Sequence, residues 1–329
     1  MSGVFARRNG LTLAAVSAAT FGTSGAFAAS LIDAGWTSGA AVTARVVVAA
    51  LVLTPFALVQ LRGQWRVLAQ ARRMIAGYGL VAVAGCQLCY FNAVSHLSVG
   101  VALLLEYLGT VLVVGWLWLR HQQRPERLTL AGAATAIAGL VLVLDLGSSH
   151  RLDPVGVLWG LGAAIGLAVF FVLASREDSP LPPVLLAWGG MSVGAVALGL
   201  LGTIGALPMQ APLVDVTLMH RRVSWLLPVL GLSLVAAVIA YLAGIGAARL
   251  LGAKLSSFIG LTEVLFATAF AWALLGEVPA PMQFVGGAAI VVGVALVRVD
   301  ELRRSAPETP AARSDTAEPH VQEAAISPE

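Results

Sequence analysis

Two stretches decide the fold: SVGVALLLEYLGTVLVVGWLWL at residues 98–119 and KLSSFIGLTEVLFATAFAWALL at residues 254–275. Each is long and apolar enough to cross a bilayer as a helix, because about 20 residues rising 1.5 Å each span a hydrocarbon core of about 30 Å. Each also carries one carboxylate near its middle, Glu106 or Glu263. A carboxylate at that depth is costly unless it is paired, protonated or in contact with water. Two of them at matching depth predict a functional site inside the membrane.

The whole chain shares this apolar character. Of its 329 residues, 58% are hydrophobic and 11% are charged, against about 25% charged in an ordinary soluble domain. The mean hydropathy is +0.88, which excludes a soluble globular protein and predicts one whose solvent is lipid. The net charge of +3 does not indicate nucleic-acid binding, because the basic residues are scattered and form no stripe with interleaved aromatic residues. The two cysteines provide no disulfide framework.

Apolar stretches recur along the chain and predict an all-α membrane protein with about ten transmembrane helices. Helices are required because lipid cannot satisfy the polar groups of an open backbone. The stretches are residues 11–32, 36–60, 74–95, 98–119, 128–146, 154–175, 182–206, 225–247, 254–275 and 281–299.

The basic residues predict the orientation of these helices. With the N-terminus in the cytoplasm, sixteen of the 20 Lys and Arg residues fall in or beside cytoplasmic segments, three fall outside, and Arg45 lies within a helix. Both termini are therefore predicted to be cytoplasmic, in a multi-pass protein of the cell (inner) membrane. The first apolar run is longer than the core of a signal peptide and predicts a retained helix. From Asp300 the chain turns polar, which predicts a disordered cytoplasmic tail over residues 300–329.

An internal repeat divides the apolar region. A spacing of seven residues occurs in Pro125, Gly132 and Gly139, and again in Pro279, Gly286 and Gly293. Each set follows shortly after a helix with a central glutamate. Five helices per half would invert the second copy, so the pattern predicts two inverted five-helix repeats over residues 1–147 and 148–299. Inverted repeats with binding residues near the midplane are a recurring plan of secondary transporters.

The residues around both glutamates resemble a known family. The stretch GLTEVLFATAFAWALLGE (residues 260–277) and its first-half echo VGVALLLEYLGTVLVV (residues 99–114) are similar to the drug/metabolite transporter superfamily, EamA type. The likeness covers nearly all of residues 11–299, and a glutamate at this place in both halves is most similar to the threonine/homoserine exporter branch. The resemblance implies ten helices in two inverted halves and export of a small metabolite. The sequence departs from the family pattern at Val264, where a proline is often found, which argues against a proline-induced helix break there.

Three ionisable residues are the main candidates for the site. Glu106 and Glu263 are expected to line a central cavity, where one could carry a proton in one state and release it in the other. Arg45 lies in the second predicted helix at a depth of about 13 Å, level with both glutamates. We expect it to face Glu106, Glu263 or a substrate carboxylate, whose shape its planar guanidinium group matches. The alternatives are structural: carboxylates that hydrogen-bond to a neighbouring helix, and an arginine in a fixed ion pair.

Polar and aromatic side chains at similar depth are further candidates. The polar ones could donate hydrogen bonds to a substrate, or could only bridge neighbouring helices. The aromatic ones could line the cavity or act as interface anchors. These candidates are Gln87, Tyr90, Asn92 and Tyr241 among the polar residues, and Trp188 and Trp272 among the tryptophans.

Catalytic motifs are poorly supported by their context. Cys86-x-x-Cys89 has redox spacing, but it lies in a membrane helix with no partner pair. Ser24 and Ser192 occur in strings similar to serine-hydrolase motifs, yet such a serine needs a histidine base at similar depth. The histidines fall at helix ends, in loops or in the tail, and no phosphate-binding loop indicates ATP drive.

The sequence therefore predicts a secondary transporter that is not an enzyme and needs no cofactor or metal. It would export a small amphipathic metabolite, an amino acid or related compound, by alternating access with possible proton antiport. Its partners would be that small-molecule substrate and the lipid bilayer, with no nucleic acid, and it would act as a monomer or homodimer. The alternatives left open are a passive metabolite facilitator, a membrane-embedded hydrolase and a membrane scaffold without flux.

Overall fold

The structure of the protein is a computed structural model. It describes residues 2–62, 65–97, 99–122, 125–143, 153–176, 181–218, 221–275 and 280–304. The predicted boundary between the repeats at residues 147 and 148, and the predicted tail from residue 305 onward, lie outside the described residues. The described chain is mostly helical, with apolar helices of spanning length, and the protein is a multi-pass membrane protein.

The first half contains nine α-helices and one π-helical segment within the described residues. They are α1 (Ser2–Gly22), α2 (Ser24–Asp33), α3 (Ser38–Gln60), α4 (Trp65–Gln70), α5 (Arg72–Gly77), the π-helical segment Tyr78–Gly85, α6 (Cys86–His96), α7 (Val99–Tyr107), α8 (Gly109–His121) and α9 (Arg127–Val143).

The second half adds six α-helices, two π-helical segments and a short hairpin within the same described ranges. They are α10 (Pro154–Ala174), α11 (Pro183–Thr203), β1 (Val216–Leu218), β2 (Arg221–Val223), α12 (Leu226–Leu230), the π-helical segment Gly231–Ile239, α13 (Ala240–Gly260), α14 (Glu263–Phe270), the π-helical segment Ala271–Leu275 and α15 (Pro281–Arg304).

Eight helical runs in the described part of the chain are long and apolar enough to cross a membrane. Two further apolar helices are shorter, Arg127–Leu142 and Glu263–Leu274. The longest run, Leu226–Gly260, has 35 residues and is broken at Gly252, whose φ of +80° is a left-handed conformation that favours glycine. This break falls between two of the stretches separated in the sequence, 225–247 and 254–275. The count of ten spanning helices therefore stays a prediction.

Both glutamate-bearing stretches are interrupted beside the glutamate, although neither has a proline there. α7 ends at Tyr107 and α8 begins two residues later, while α13 ends at Gly260 and α14 begins at Glu263. Each turn is formed by 3₁₀-type hydrogen bonds, in which an amide donates to the carbonyl group three residues earlier. In the first turn, Leu108 N donates to Leu105 O at 3.2 Å. The absence of proline at Val264 argued only against a proline-induced break, and the structure shows a turn of a kind that needs no proline.

The repeated glycines meet each other in space. A Cβ atom added to Gly132 would lie 2.7 Å from the carbonyl oxygen of Gly293, and one added to Gly139 would lie 2.5 Å from that of Gly286. Gly132, the first glycine of its repeat, therefore packs on Gly293, the second glycine of the other repeat. Gly139 and Gly286 pair in the same way with the order exchanged. This reciprocal contact makes α9 and α15 antiparallel neighbours and is the pairing that a two-fold axis between the halves would give.

The halves also share an unusual backbone feature. A π-helical segment follows a short α-helical start in α5 to α6 and again in α12 to α13, at Tyr78–Gly85 and Gly231–Ile239. π-helical winding is rare and is often found at functional sites. Its occurrence at matching places supports the internal repeat predicted from the glycine spacing.

Two local predictions need correction. The chain is not entirely helical, because β1 and β2 pair antiparallel in the connection between α11 and α12, with Val216 opposite Val223. Val216 and Leu218 are buried while Thr217 is exposed, which is the alternation of a strand with one packed face. The polar tail does not begin at Asp300 either, because α15 continues through this buried residue to Arg304.

The helices pack in pairs that frame a central space. α1 lies against α13, α10 against α6, α11 against α3, and α15 against α9. A large core of buried apolar residues from α3, α6, α10 and α11 fills one side of the molecule. Small residues allow the close approaches; Gly79, for example, leaves room for the carbonyl oxygen of Gly190.

Candidate functional site

A cavity of about 590 Å³ lies between the two halves. Most of the residues predicted for the site line it together: Arg45, Gln87, Tyr90, Glu106, Tyr241 and Glu263. The wall extends from Ala14 and Ala247 at one end to the exposed Asp33 and to Gln283 at the other. Chemical groups from α1, α3, α6, α7, α13 and α14 thus converge on one chamber that reaches the surface near the end of α2.

Arg45 is the most buried charge in this chamber, with 2% of its surface exposed. Its Nη1 donates to Ser24 Oγ at 3.1 Å and to Gln87 Oε1 at 3.0 Å, and its Nη2 donates to the carbonyl oxygen of Ala236. Its Cζ atom lies 5.8 Å from the ring centroid of Phe21.

Arg45 forms no ion pair with a carboxylate of the described residues, so of the partners expected for it the structure places neither Glu106 nor Glu263 in direct contact. Neutral oxygen atoms hold the guanidinium group instead. Among the described residues, Arg45 therefore lines the chamber as a cation without a contacting carboxylate. Such a cation favours a ligand with a carboxylate group.

Each glutamate has a polar neighbour in the chamber. The Cys86 thiol lies 3.4 Å from Glu106 Oε1 and equally far from the carbonyl oxygen of Ala163. Tyr107, the chain neighbour of Glu106, lines the chamber together with Glu263. The backbone of one half therefore brings a tyrosine to the same chamber as the carboxyl group of the other half.

The two carboxyl groups line the same chamber. Two like charges in a chamber of low polarity repel each other strongly. A proton or a cationic group of a ligand placed between Glu106 and Glu263 would relieve that repulsion.

Aromatic rings form the apolar wall of the chamber. The ring of Tyr241 lies 5.2 Å from that of Phe21 and 5.5 Å from that of Phe170. Phe170 in turn packs edge-on against Phe171 at 5.0 Å. A cavity with one cation, two carboxyl groups and apolar rings matches a small amphipathic molecule better than a purely polar or purely apolar one.

Three predicted candidates lie elsewhere. Asn92 lines a separate cavity of about 270 Å³, and its Nδ2 donates to the carbonyl oxygen of Leu88 at 2.8 Å. Trp188 Nε1 donates to Thr54 Oγ1 at 3.0 Å, away from the chamber. Trp272 is 55% exposed on the outer surface of the bundle, where a tryptophan contacts lipid.

Several residues of the chamber were missed from the sequence. Tyr107 could have been suggested by its place beside Glu106. Cys86 precedes Tyr90 by four residues, so it shares the helix face of a residue already predicted. Ser24 was considered only as a hydrolase serine, whereas its hydroxyl group accepts a hydrogen bond from Arg45.

A second polar cluster lies away from Asp33, at the other end of the helices. Lys254 Nζ forms a salt bridge with Asp300 Oδ2 at 3.2 Å, and the Thr129 hydroxyl group donates to the same oxygen at 2.6 Å. Asp300 is completely buried. This cluster joins α9, α13 and α15.

The chemistry available in the chamber is binding and proton exchange. His96 pairs with Asp153 at 3.0 Å and is not among the residues that line the chamber, so it offers Ser24 no histidine base. Among the described residues, no group of three His, Cys, Asp or Glu side chains is arranged to hold a metal ion.

The chain matches the model of the EamA-like transporter family twice, over residues 8–145 and 154–299. It is 28% identical to the probable terminal-alkyne amino-acid exporter of Streptantibioticus cattleyicolor over 243 residues, covering 73% of this chain and 78% of the relative. It is 25% identical to the uncharacterized transporter YwfM of Bacillus subtilis over 227 residues, covering 65% and 71%.

A solved crystal structure has the same fold, with a TM-score of 0.71 and 20% sequence identity over 90% of this chain and 99% of the other. The two family matches together span most of the chain and fall on both sides of the predicted boundary between the halves. The resemblance read from the residues around Glu106 and Glu263 is thereby confirmed. The protein belongs to the EamA-like transporter family.

Proposed function

We propose that this transporter exports a small amphipathic metabolite with a carboxylate group, an amino acid or a related compound, across the cell (inner) membrane. The observation that carries the proposal is the placement of Arg45, Glu106 and Glu263 in one chamber drawn from both halves. The relative named as a probable amino-acid exporter supports this class of substrate.

The proposed binding mode assigns one part of the ligand to each wall. The ligand carboxylate lies against Arg45, whose charge has no contacting carboxylate among the described residues. Its ammonium group lies near the two carboxyl groups, and its apolar part contacts the rings of Phe21 and Tyr241.

The proposed drive is exchange for protons. A ligand ammonium group and a proton both relieve the repulsion between Glu106 and Glu263, so binding of one favours release of the other. Alternating exposure of the chamber to the two sides would then couple proton entry to metabolite exit.

The proposed topology has ten transmembrane helices in two inverted halves with both termini in the cytoplasm. In that orientation, Asp33 lies at the outer surface and the Lys254–Asp300 pair lies near the cytoplasm. The chamber would then be open to the outside, and the buried pair would close the inner side. The proposed transporter acts as a monomer or homodimer.

The test is efflux from liposomes that contain the purified protein. A panel of labelled amino acids and related carboxylates is loaded, a proton gradient is imposed, and wild type is compared with Glu263→Gln. The exposed Glu126→Gln is the matched control, because it removes the same charge outside the chamber. We expect uphill efflux in wild type and Glu126→Gln and its loss in Glu263→Gln.

Two results would contradict the proposal. Absence of flux for the whole panel would exclude this substrate class, and full proton-coupled efflux in Glu263→Gln would remove that carboxyl group from the mechanism. Efflux that is only downhill and insensitive to the gradient would instead identify a passive facilitator.

A further inference from the structure

Three buried hydrogen-bond donors outside the chamber have no acceptor among the described residues. They are Nε and Nη2 of Arg249 and the hydroxyl group of Tyr78. Buried polar groups are nearly always paired in proteins, because an unpaired one loses its hydration without compensation. A guanidinium group is the more costly case, since it carries a charge.

The two arginine atoms form one edge of the guanidinium group. Nε–H and Nη2–H point in nearly parallel directions and match the two oxygen atoms of a carboxylate or of a phosphate. Ala248, the chain neighbour of Arg249, belongs to the same buried apolar cluster as Tyr78, so the backbone brings the two polar side chains to the same part of the molecule. Arg249 and Tyr78, here called the cluster, therefore offer three hydrogen-bond donors. The group that accepts from them must be an anion.

The surrounding packing fixes this cluster in place. Tyr78 is completely buried, its ring lies 5.9 Å from that of Phe170, and Gly190 leaves the space that the tyrosine ring occupies. Arg249 lies in α13 shortly before the left-handed turn at Gly252. Both side chains are thus held by ordered backbone rather than by a loop.

The cluster also lies next to the chamber. Phe170 packs against Tyr78 on one side and against the cavity residue Tyr241 at 5.5 Å on another. Ala247, which lines the chamber, is two residues before Arg249. The cluster is on the side of the chamber away from the exposed Asp33, so a ligand that crosses the molecule would pass it.

We propose that Arg249 and Tyr78 form a second oxyanion site, which takes the carboxylate of the transported molecule on the cytoplasmic side of the chamber. The assignment of the occupant rests on the proposed function; the site itself rests on the donors. A carboxylate would bind here first and then pass to Arg45, with Phe170 between the two positions. The three donor atoms are shielded in the state open near Asp33 and become accessible when the opposite side opens.

The test measures whether an anion shields Arg249 from chemical modification. Purified full-length protein in lipid nanodiscs is treated with an arginine-specific dicarbonyl reagent, and modification of each arginine is measured by peptide mass spectrometry. Acetate and inorganic phosphate are the probes, with chloride making up constant ionic strength. The exposed Arg176 serves as the internal reference for reagent consumption.

We expect acetate to protect Arg249 and not Arg176. Tyr78→Phe should weaken that protection roughly tenfold in acetate concentration, because one hydrogen bond to a charged group is lost. Equal modification of Arg249 with and without either anion would overturn the site. Protection by phosphate alone would overturn the carboxylate assignment and identify a phosphate group, such as a lipid headgroup or the free ion.

A second measurement decides the matter if Arg249 resists the reagent. Acetate should raise the thermal unfolding midpoint of wild type more than that of Arg249→Gln, and an equal rise in both would overturn the proposal. Neither measurement needs flux, so a protein that binds acetate at Arg249 but moves no panel substrate would refute the proposed function alone.

Discussion

Replacing Gly139 with alanine should push α9 and α15 apart and destabilise the protein. In Gly139→Ala, the new Cβ atom would lie 2.5 Å from the carbonyl oxygen of Gly286 and 2.7 Å from the amide nitrogen of Ile290. Both atoms belong to the backbone, so no side chain can rotate away. Since Cβ atoms essentially never approach closer than 3.0 Å, the two helices must move apart.

This separation costs more than the alanine gains. Overpacking of a well-packed contact typically costs about 1–3 kcal/mol, whereas alanine in place of glycine within a helix gains about 0.5–1 kcal/mol. The difference is a net loss of roughly 0–2.5 kcal/mol. At its centre, about 1 kcal/mol, it corresponds to a fall of about 2–4 °C in the unfolding midpoint.

The assay is thermal unfolding of the purified protein in detergent at a fixed heating rate. Gly115→Ala in α8 is the matched control, because its added Cβ atom meets nothing within 4 Å and only the gain in helix stability remains. We expect the control to unfold at or above the wild-type midpoint. A Gly139→Ala protein as stable as the control would refute the close contact between the repeated glycines.

Three further variants test the chamber and its closed end. Arg45→Lys should impair efflux of a carboxylate substrate at least tenfold more than that of an uncharged analogue, because a lysine cannot present two parallel donors; equal impairment in the liposome assay would argue against carboxylate binding. Tyr107→Phe should lower proton-driven efflux roughly tenfold, since it removes a hydrogen-bonding hydroxyl group from the chamber that holds Glu263, and it should leave the unfolding midpoint within a few degrees; unchanged efflux would show that this hydroxyl group has no role. Lys254→Gln should lower the unfolding midpoint more than Asp300→Asn, because it leaves the completely buried Asp300 carboxylate without the Lys254 charge, whereas Asp300→Asn leaves a lysine that is 12% exposed and can reach water; the reverse order in a thermal scan would contradict this account.

Much of the fold follows from elementary constraints on the sequence. A chain this apolar must form helices in lipid, and the lengths of its apolar runs place most of the described helices. The turns beside Glu106 and Glu263 were not predictable, because no proline or unusual composition marks them. The hairpin at Val216–Leu218 was missed for a different reason: it lies in a connection where water can satisfy strand edges, so lipid does not exclude it.

The residues of the site also divide into those that the sequence could predict and those that it could not. Glu106, Glu263 and Arg45 could be found because a charge at membrane depth has to face protein or water rather than lipid. Trp188 and Trp272 could not be judged, since a tryptophan is stable against lipid and against protein alike. The hydrogen-bond partners of Arg45 could not be predicted from the sequence either.

Those partners are neutral oxygen atoms, and one of them is a backbone carbonyl group that no sequence pattern distinguishes. Ser24 and Gln87, which supply the other two, satisfy the guanidinium group as well as a carboxylate would in hydrogen-bond count. Depth along a helix can therefore locate a charge, but it does not identify what the charge touches.

The wide windings at Tyr78–Gly85 and Gly231–Ile239 bear on how the molecule could change shape. Each begins close to a helix start and is followed within two residues by a polar residue that lines the chamber, Cys86 after the first and Tyr241 after the second. Tightening either segment to ordinary α-helical pitch would turn everything after it about the helix axis. Both halves thus carry, at corresponding points, a segment whose helical winding can change. Such a change would rotate the chamber-lining face of the helix that follows while the helix stays continuous.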